Sequence, residues 1–83
     1  MIEPIGSDKK SILKNAYLHF TEAQWDLALK EYHRALEIDP DDFEIHNLMG
    51  DVYVQKNDIP SAFVQYSLVA AEWRRRGHQD KVD

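Results

Sequence analysis

The sequence predicts an all-α fold made of tandem antiparallel helical hairpins, followed by a short C-terminal helical stub. Two observations predict it: the chain matches itself at a shift of 34 residues, and apolar residues recur with helical spacing in both copies. The composition agrees, because 43% hydrophobic and 30% charged residues among 83 are typical of a folded domain. No comparable period-two alternation runs through the chain, so we expect no strands.

The 34-residue shift superimposes small residues on small residues and aromatic residues on aromatic residues. The matched pairs are Ala16 with Gly50, Ala28 with Ala62, and Tyr32 with Tyr66. Antiparallel helices cross closely only where side chains are small, so the first two pairs are the expected packing residues of two hairpins. A glycine inside a helix costs about 1 kcal/mol relative to alanine, which Gly50 should offset by packing. The alternative is that Gly50 ends a helix.

Helix boundaries are marked by capping residues and by proline. We expect helices near residues 8–20, 24–38, 42–56 and 59–76. Their capping signals are Ser7 or Asp8, Asp41 or Asp42, and Asp58. Pro60 is tolerated in a first helical turn, whereas Pro40 separates the two copies, because a proline in a helix interior costs about 3 kcal/mol.

The repeated unit resembles the tetratricopeptide repeat, which has small, aromatic and proline residues at fixed positions. The residues that match are Ala16, Ala28, Tyr32, Ala35 and Pro40 in the first copy, and Gly50, Tyr53, Ala62 and Tyr66 in the second. The resemblance divides the chain into a lead-in (1–8), two repeats (9–42 and 43–76) and a C-terminal stub (77–83). The first copy departs from the family pattern at Asn15 and His19, where apolar and aromatic residues are usual.

The C-terminal end of the second copy also departs from the family pattern. Arg74 stands where proline would close the repeat, so the fourth helix is expected to run on. Trp73, Gly77 and Val82 are spaced like residues around the turn of a further repeat, with a new helix from His78. Because helical repeats need neighbours to cover their cores, we expect cover from self-association, from a partner or from sequence outside these 83 residues. Trp73 and Val82 mark the expected self-association end.

In the family that the chain resembles, the first helix of each repeat lines a concave surface that receives a peptide or a partner helix. Carried over position by position, the groove residues are Leu13, Tyr17 and Phe20 in the first copy and Asn47, Asp51 and Val54 in the second. An aromatic half and a polar half would suit an amphipathic segment, with the rings as anchors. The alternative is that Tyr17 and Phe20 belong to the core.

The sequence contains no motif typical of a catalytic, cofactor-binding or metal-binding site. The chain has no cysteine and no glycine-rich phosphate loop, and His19, His33, His46 and His78 are not spaced to share one helical face. We therefore predict no catalytic residue, no cofactor and no metal. A net charge of −5 argues against nucleic-acid binding through overall attraction, although the run Arg74 to Arg76 leaves it as an alternative.

No segment has the roughly 20 apolar residues that a membrane helix needs, and the first ten residues lack the apolar core of a signal peptide. We expect a cytoplasmic protein without a membrane partner. The predicted function is a non-catalytic protein–protein interaction scaffold that binds a peptide or helix of a partner, self-associates, or does both.

Overall fold

Two antiparallel helical hairpins make up the computed structural model, which describes residues 8–81 and, in the last helix, side chains as far as residue 76. The helices are α1 (Lys9–Thr21), α2 (Trp25–Ile38), α3 (Phe43–Gln55) and α4 (Ile59–Lys81). α1 pairs with α2, α3 pairs with α4, and α2 packs against α3. Within residues 8–81 there is no strand, and the predicted all-α fold of tandem hairpins is confirmed.

Small residues lie where the paired helices come closest. Ala16 and Ala28 are completely buried between α1 and α2, and Gly50 and Ala62 are buried between α3 and α4. A Cβ atom added to Gly50 would lie 2.7 Å from Cδ1 and 2.8 Å from Cζ of Tyr66, and nearer still to Cε1. The absence of a side chain at Gly50 therefore gives the Tyr66 ring its place against the backbone of α3.

The two hairpins share one core, to which α1, α2 and α3 all contribute buried residues. Leu29 and Tyr32 on α2 meet the fully buried side chains of Ile45, Met49 and Val52 on α3. These residues follow the helical spacing seen in the sequence, so one apolar face of each helix is covered by the other. Burial of a large apolar side chain is worth about 1.5–3 kcal/mol, which makes this contact the main link between the hairpins.

Both hairpins turn in the same way. Ala23 and Asn57 have φ of 60° and 68°, the left-handed region, and they are 34 residues apart. In the first hairpin the amide of Gln24 donates to the carbonyl of His19 at 2.9 Å, and in the second Asp58 donates to Tyr53 at 2.8 Å. These bonds cap the ends of α1 and α3 as Schellman motifs. The 34-residue repeat thus extends to the backbone.

Side chains fix the starts of α3 and α4. The carboxylate of Asp42 accepts a hydrogen bond from the amide of Glu44, and Asp58 accepts from both the amide and the hydroxyl of Ser61. These aspartates satisfy helical amides that otherwise lack partners. The ammonium group of Lys9 contacts Asp39 at 2.9 Å and Asp42 at 2.6 Å, and thereby ties the start of α1 to the loop between the hairpins.

The C-terminal helix differs from the sequence expectation. α4 continues without a turn from Ile59 to Lys81, so the further helix expected from His78 does not form as a separate element. The physical reason is that no proline follows Trp73 and the glycine at position 77 is tolerated inside a helix at a cost of about 1 kcal/mol. Val82 lies outside the described residues, and the repeat boundaries stay predictions.

Candidate protein-binding surfaces

The α1 half of the predicted groove is aromatic. Tyr17 and Phe20 stack with ring centroids 6.3 Å apart, and Phe20 meets Trp25 edge-on at 5.6 Å. Leu13 and Phe20 are half-buried and pack against the core, whereas Tyr17 is 58% exposed. On the α1 half of the groove, Leu13 and Phe20 therefore support the surface from below, and Tyr17 presents its ring to solvent.

The α3 half of the predicted groove is polar and is held in place by α4. Asn47 and Asp51 are half-buried, and Val54 is exposed at the end of the helix. The hydroxyl of Tyr66 donates to the carboxylate of Asp51 at 2.5 Å. Burial and this hydrogen bond raise the pKa of Tyr66 to about 12, so the hydroxyl stays protonated and keeps donating at neutral pH.

Tyr32 on α2 is a buried side chain whose pKa responds to one residue from each half of the groove. Burial raises the pKa of Tyr32, and the nearby Asp51 and Tyr17 raise it further. Tyr17 on α1 and Asp51 on α3 are thus both close enough to Tyr32 to affect the pKa of its hydroxyl. No comparable observation connects Leu13, Asn47 or Val54 across the hairpins.

A second concave surface lies at the other end of the molecule, where α4 passes the loop between the hairpins. It is a cleft of about 430 Å³. Its lining residues are Asp41, Asp42, Phe43, Glu44, Val69, Glu72, Trp73 and Arg76. Trp73, which the sequence predicts at a self-association end, therefore stands at the edge of a cleft rich in acidic residues, with 61% of its surface exposed.

The arginine run packs against this cleft. Glu72 is buried and forms ion pairs with both Arg75 and Arg76. Burial alone would raise the pKa of Glu72, but the two guanidinium groups outweigh it and lower the pKa below its usual range. Arg76 also lies 5.5 Å from the centre of the Phe43 ring, a cation–π distance. Two of the three arginines thus have structural roles.

The exposed face of α4 carries an apolar surface that is not among the sites predicted from the sequence. On α4, Ile59 and Phe63 are 55% and 71% exposed, on the face that also carries Trp73. The signal was present in the sequence, because apolar residues at 59, 63, 66, 70 and 73 alternate in steps of four and three. That spacing marks a continuous stripe along one helical face.

Other kinds of site find no support in the part of the chain that the structure describes. Among the described residues, no group of three or more histidine, aspartate or glutamate side chains is arranged to hold a metal ion. The same residues contain no helix that combines the length and the apolar character needed to span a bilayer.

Comparison with known proteins agrees with the repeat geometry. A family model described as TPR repeat matches residues 16–57, which is half of the chain and covers α2, α3 and both tight turns. Neither a curated protein nor a solved structure matches the chain significantly. TPR repeats are generally non-catalytic and mediate protein–protein interactions. The chain, with its two hairpins, paired small residues and matching turns, belongs to the TPR repeat family.

Proposed function

We propose that this protein is a non-catalytic interaction module that holds an amphipathic segment of a partner protein against α1 and α3. The observation that carries the proposal is the exposed ring of Tyr17, supported from behind by Phe20. Exposed aromatic residues on a rigid base dominate the energetics of protein interfaces. A cytoplasmic location is part of the same proposal, because a chain without cysteine suits a reducing compartment.

The polar half of the surface supplies orientation. The Tyr66 hydroxyl holds one carboxylate oxygen of Asp51, which leaves the other oxygen to accept a hydrogen bond from a partner. An amphipathic helix that placed apolar residues on Tyr17 and a lysine or arginine on Asp51 would match both halves. The groove would therefore prefer a basic amphipathic segment over an acidic one.

The experiment is selection from a peptide display library, followed by titration of the enriched peptides in fluorescence polarisation. We expect peptides with an apolar stripe and at least one basic residue, and Tyr17→Ala should weaken their binding about tenfold or more, as loss of an interface anchor does. Leu27→Ala is the matched control, because Leu27 is an exposed apolar residue on α2 and lies outside the proposed groove. Peptides that bind wild type and Tyr17→Ala equally well would count against the groove.

A second form of protein interaction, self-association, is proposed for the C-terminal end of the array. It is supported by the exposure of Trp73 beside the cleft. The measurement is sedimentation equilibrium over a range of protein concentrations. A molecular mass that stays monomeric at the highest concentration would exclude it.

Nucleic-acid binding through Arg74 to Arg76 is the alternative proposal. Its support is the exposure of all three side chains at the end of the molecule. The pairing of Arg75 and Arg76 with Glu72 weakens it, because charge already neutralised within the protein attracts phosphate less. Binding of a labelled oligonucleotide that falls steeply with salt and with loss of the arginines would support this alternative. Lack of binding at low salt would end it.

A further inference from the structure

The α4 stripe, defined as Ile59, Phe63, Tyr66, Ala70 and Trp73, has the four-three spacing of a coiled-coil seam. Three of its side chains are more than half exposed, Ala70 is exposed, and Tyr66 is half-buried. An apolar stripe of this length along a helix normally faces another helix. Tyr66 contacts α3 through Gly50 and Asp51, but within residues 8–76 no helix covers the exposed members of the stripe.

In the first repeat, the equivalent apolar face on α2 is covered by the next helix. Shifting Ile59, Phe63, Tyr66 and Ala70 back by 34 residues gives Trp25, Leu29, Tyr32 and Leu36 on α2, whereas Trp73 falls on Asp39, just after that helix. There the face is covered by α3, which leaves Leu29 8% and Tyr32 2% exposed. The same face of the repeat is therefore covered by a helix in one copy and open in the other. Its equivalent on α4 has the shape and chemistry to receive a helix.

A head-to-tail stack of identical chains would place α1 of a second copy on the α4 stripe. The residues of α3 that face α2 are apolar: Ile45, Leu48, Met49 and Val52. Their equivalents on α1 are Ser11, Lys14, Asn15 and Leu18, of which three are polar. Covering the stripe with α1 would bury a lysine without a partner, which is costly. The polar residues on this face of α1 therefore disfavour the head-to-tail arrangement.

We propose that the α4 stripe pairs with the α4 stripe of a second copy in an antiparallel, two-fold symmetric dimer. This proposal deepens the self-association form of the proposed function and rests on it. A register centred near residue 68 sets Phe63 opposite Trp73 of the second copy and Tyr66 opposite Ala70 of the second copy. Two aromatic side chains then face each other on either side of the two-fold axis, Tyr66 faces the small Ala70 near the axis, and Ile59 lies opposite Gly77.

Charge complementarity favours the same arrangement. The antiparallel register sets Arg74 of one copy opposite Ala62 of the other, about one helical turn from the carboxylate of Asp58 at the start of α4. It also sets the negative end of each helix dipole beside the positive end of the other. A parallel arrangement would instead place the arginine runs of the two copies side by side.

The size of the stripe predicts a weak dimer. Aromatic side chains bury about 150–250 Å² each, so the stripe could remove about 500 Å² per copy from water, or about 1,000 Å² in total. Stable interfaces bury about 1,200–2,000 Å², so we expect a weak dimer that forms and dissociates readily.

The decisive test is a symmetric disulfide. The chain contains no cysteine, and Ser67 is exposed on the flank of the stripe next to the proposed two-fold axis. We expect Ser67→Cys to form a disulfide-linked dimer under mild oxidation, at least about tenfold faster than Val64→Cys. Val64 is the matched control because it is exposed on the side of α4 away from the stripe. Adding Phe63→Asp to Ser67→Cys should slow crosslinking to the control rate, with circular dichroism confirming the fold.

Other occupants give different results. Sedimentation of wild type should show mass rising with concentration and levelling at that of two chains. A mass that grows beyond two chains, without crosslinking of Ser67→Cys, would indicate head-to-tail stacking and overturn the proposal. If the protein stayed monomeric and Ser67→Cys did not crosslink, the stripe would bind a helix of another protein instead, and the proposal of a dimer would likewise be overturned.

The groove and the stripe can be separated. Tyr17→Ala should leave dimerisation unchanged, and Phe63→Asp should leave binding of the groove-selected peptides unchanged. Failure of the disulfide test with intact, Tyr17-dependent peptide binding would refute the dimer alone. Crosslinking at Ser67→Cys with no peptide binding to the groove would uphold the dimer and refute the groove.

Discussion

Gly50 controls the packing of α3 on α4, and replacing it with alanine tests that packing with a single methyl group. The added Cβ would overlap the Tyr66 ring, because it would lie 2.7 Å from Cδ1 and 2.8 Å from Cζ. The ring must then move. Its movement would stretch or break the hydrogen bond from the Tyr66 hydroxyl to Asp51, which is 2.5 Å long.

Two effects oppose each other in Gly50→Ala. Alanine favours the helix by about 1 kcal/mol relative to glycine. Overpacking costs about 1–3 kcal/mol, and loss of a hydrogen bond to a charged acceptor costs about 1.5–3 kcal/mol. Because Tyr66 is only half-buried and can partly adjust, we expect a net destabilisation of about 1–3 kcal/mol. For a domain of this size that lowers the Tm by about 10 °C.

Thermal and urea unfolding, followed by circular dichroism, measure this loss. The control is the same substitution in a Tyr66→Leu background, where a shorter side chain can rotate away from the new methyl group. There Gly50→Ala should be neutral or stabilising, and the difference between the two backgrounds is the coupling between positions 50 and 66. If Gly50→Ala raised the Tm of the otherwise wild-type protein, the ring would not be held against α3 as the geometry implies.

The remaining predictions concern a turn, a buried carboxylate and a groove residue. Ala23→Gly should stabilise the fold by about 0.5–1 kcal/mol, because Ala23 has a positive φ that glycine adopts without strain. Asn57→Gly should stabilise it less, because asparagine tolerates a positive φ better than alanine does. Urea unfolding of both variants measures the two free energies. The lowered pKa of Glu72 means that its ion pairs stabilise the fold above its unfolded pKa of about 4.3 and are lost as the pH falls through the lower folded pKa. Glu72→Gln should therefore lose less unfolding free energy than wild type when the pH falls from 5 to 3, and the difference should develop over about one pH unit as the carboxylate of Glu72 is protonated. An equal loss in both proteins would contradict the stabilising role of these ion pairs. Tyr17→Ala should leave the Tm nearly unchanged, because Tyr17 is mostly exposed; a large fall would assign it to the core.

Much of the fold could be predicted from the sequence because each repeat carries its own local signals. The 34-residue spacing pairs Ala16 with Gly50 and Ala28 with Ala62, and the structure buries all four. Asp42 and Asp58 were predicted near helix starts, and both accept hydrogen bonds from the first turn. These features depend on residues only a few positions apart or on a regular repeat, so the chain order alone contains them.

The candidate sites could be predicted only in part. The sequence predicts Tyr17 and Phe20 on one groove and leaves open that both belong to the core, whereas in the structure Tyr17 is exposed and Phe20 is half-buried. Trp73 and Val82 were the only residues predicted at a self-association end, and the exposure of Ile59 and Phe63 was not predicted. Those two residues have normal core spacing, and their exposure follows only from the absence of a covering helix within the described residues.

The sequence by itself determined the helices, the turns and the pairing of each hairpin, because these depend on local capping, helical spacing and small residues at repeated positions. Tertiary structure alone decided which apolar faces are covered. Leu29 and Phe63 occupy the same position in their repeats, yet one is buried by α3 and the other is exposed. Burial depends on what stacks next to a repeat, and that neighbour is not encoded within the repeat itself.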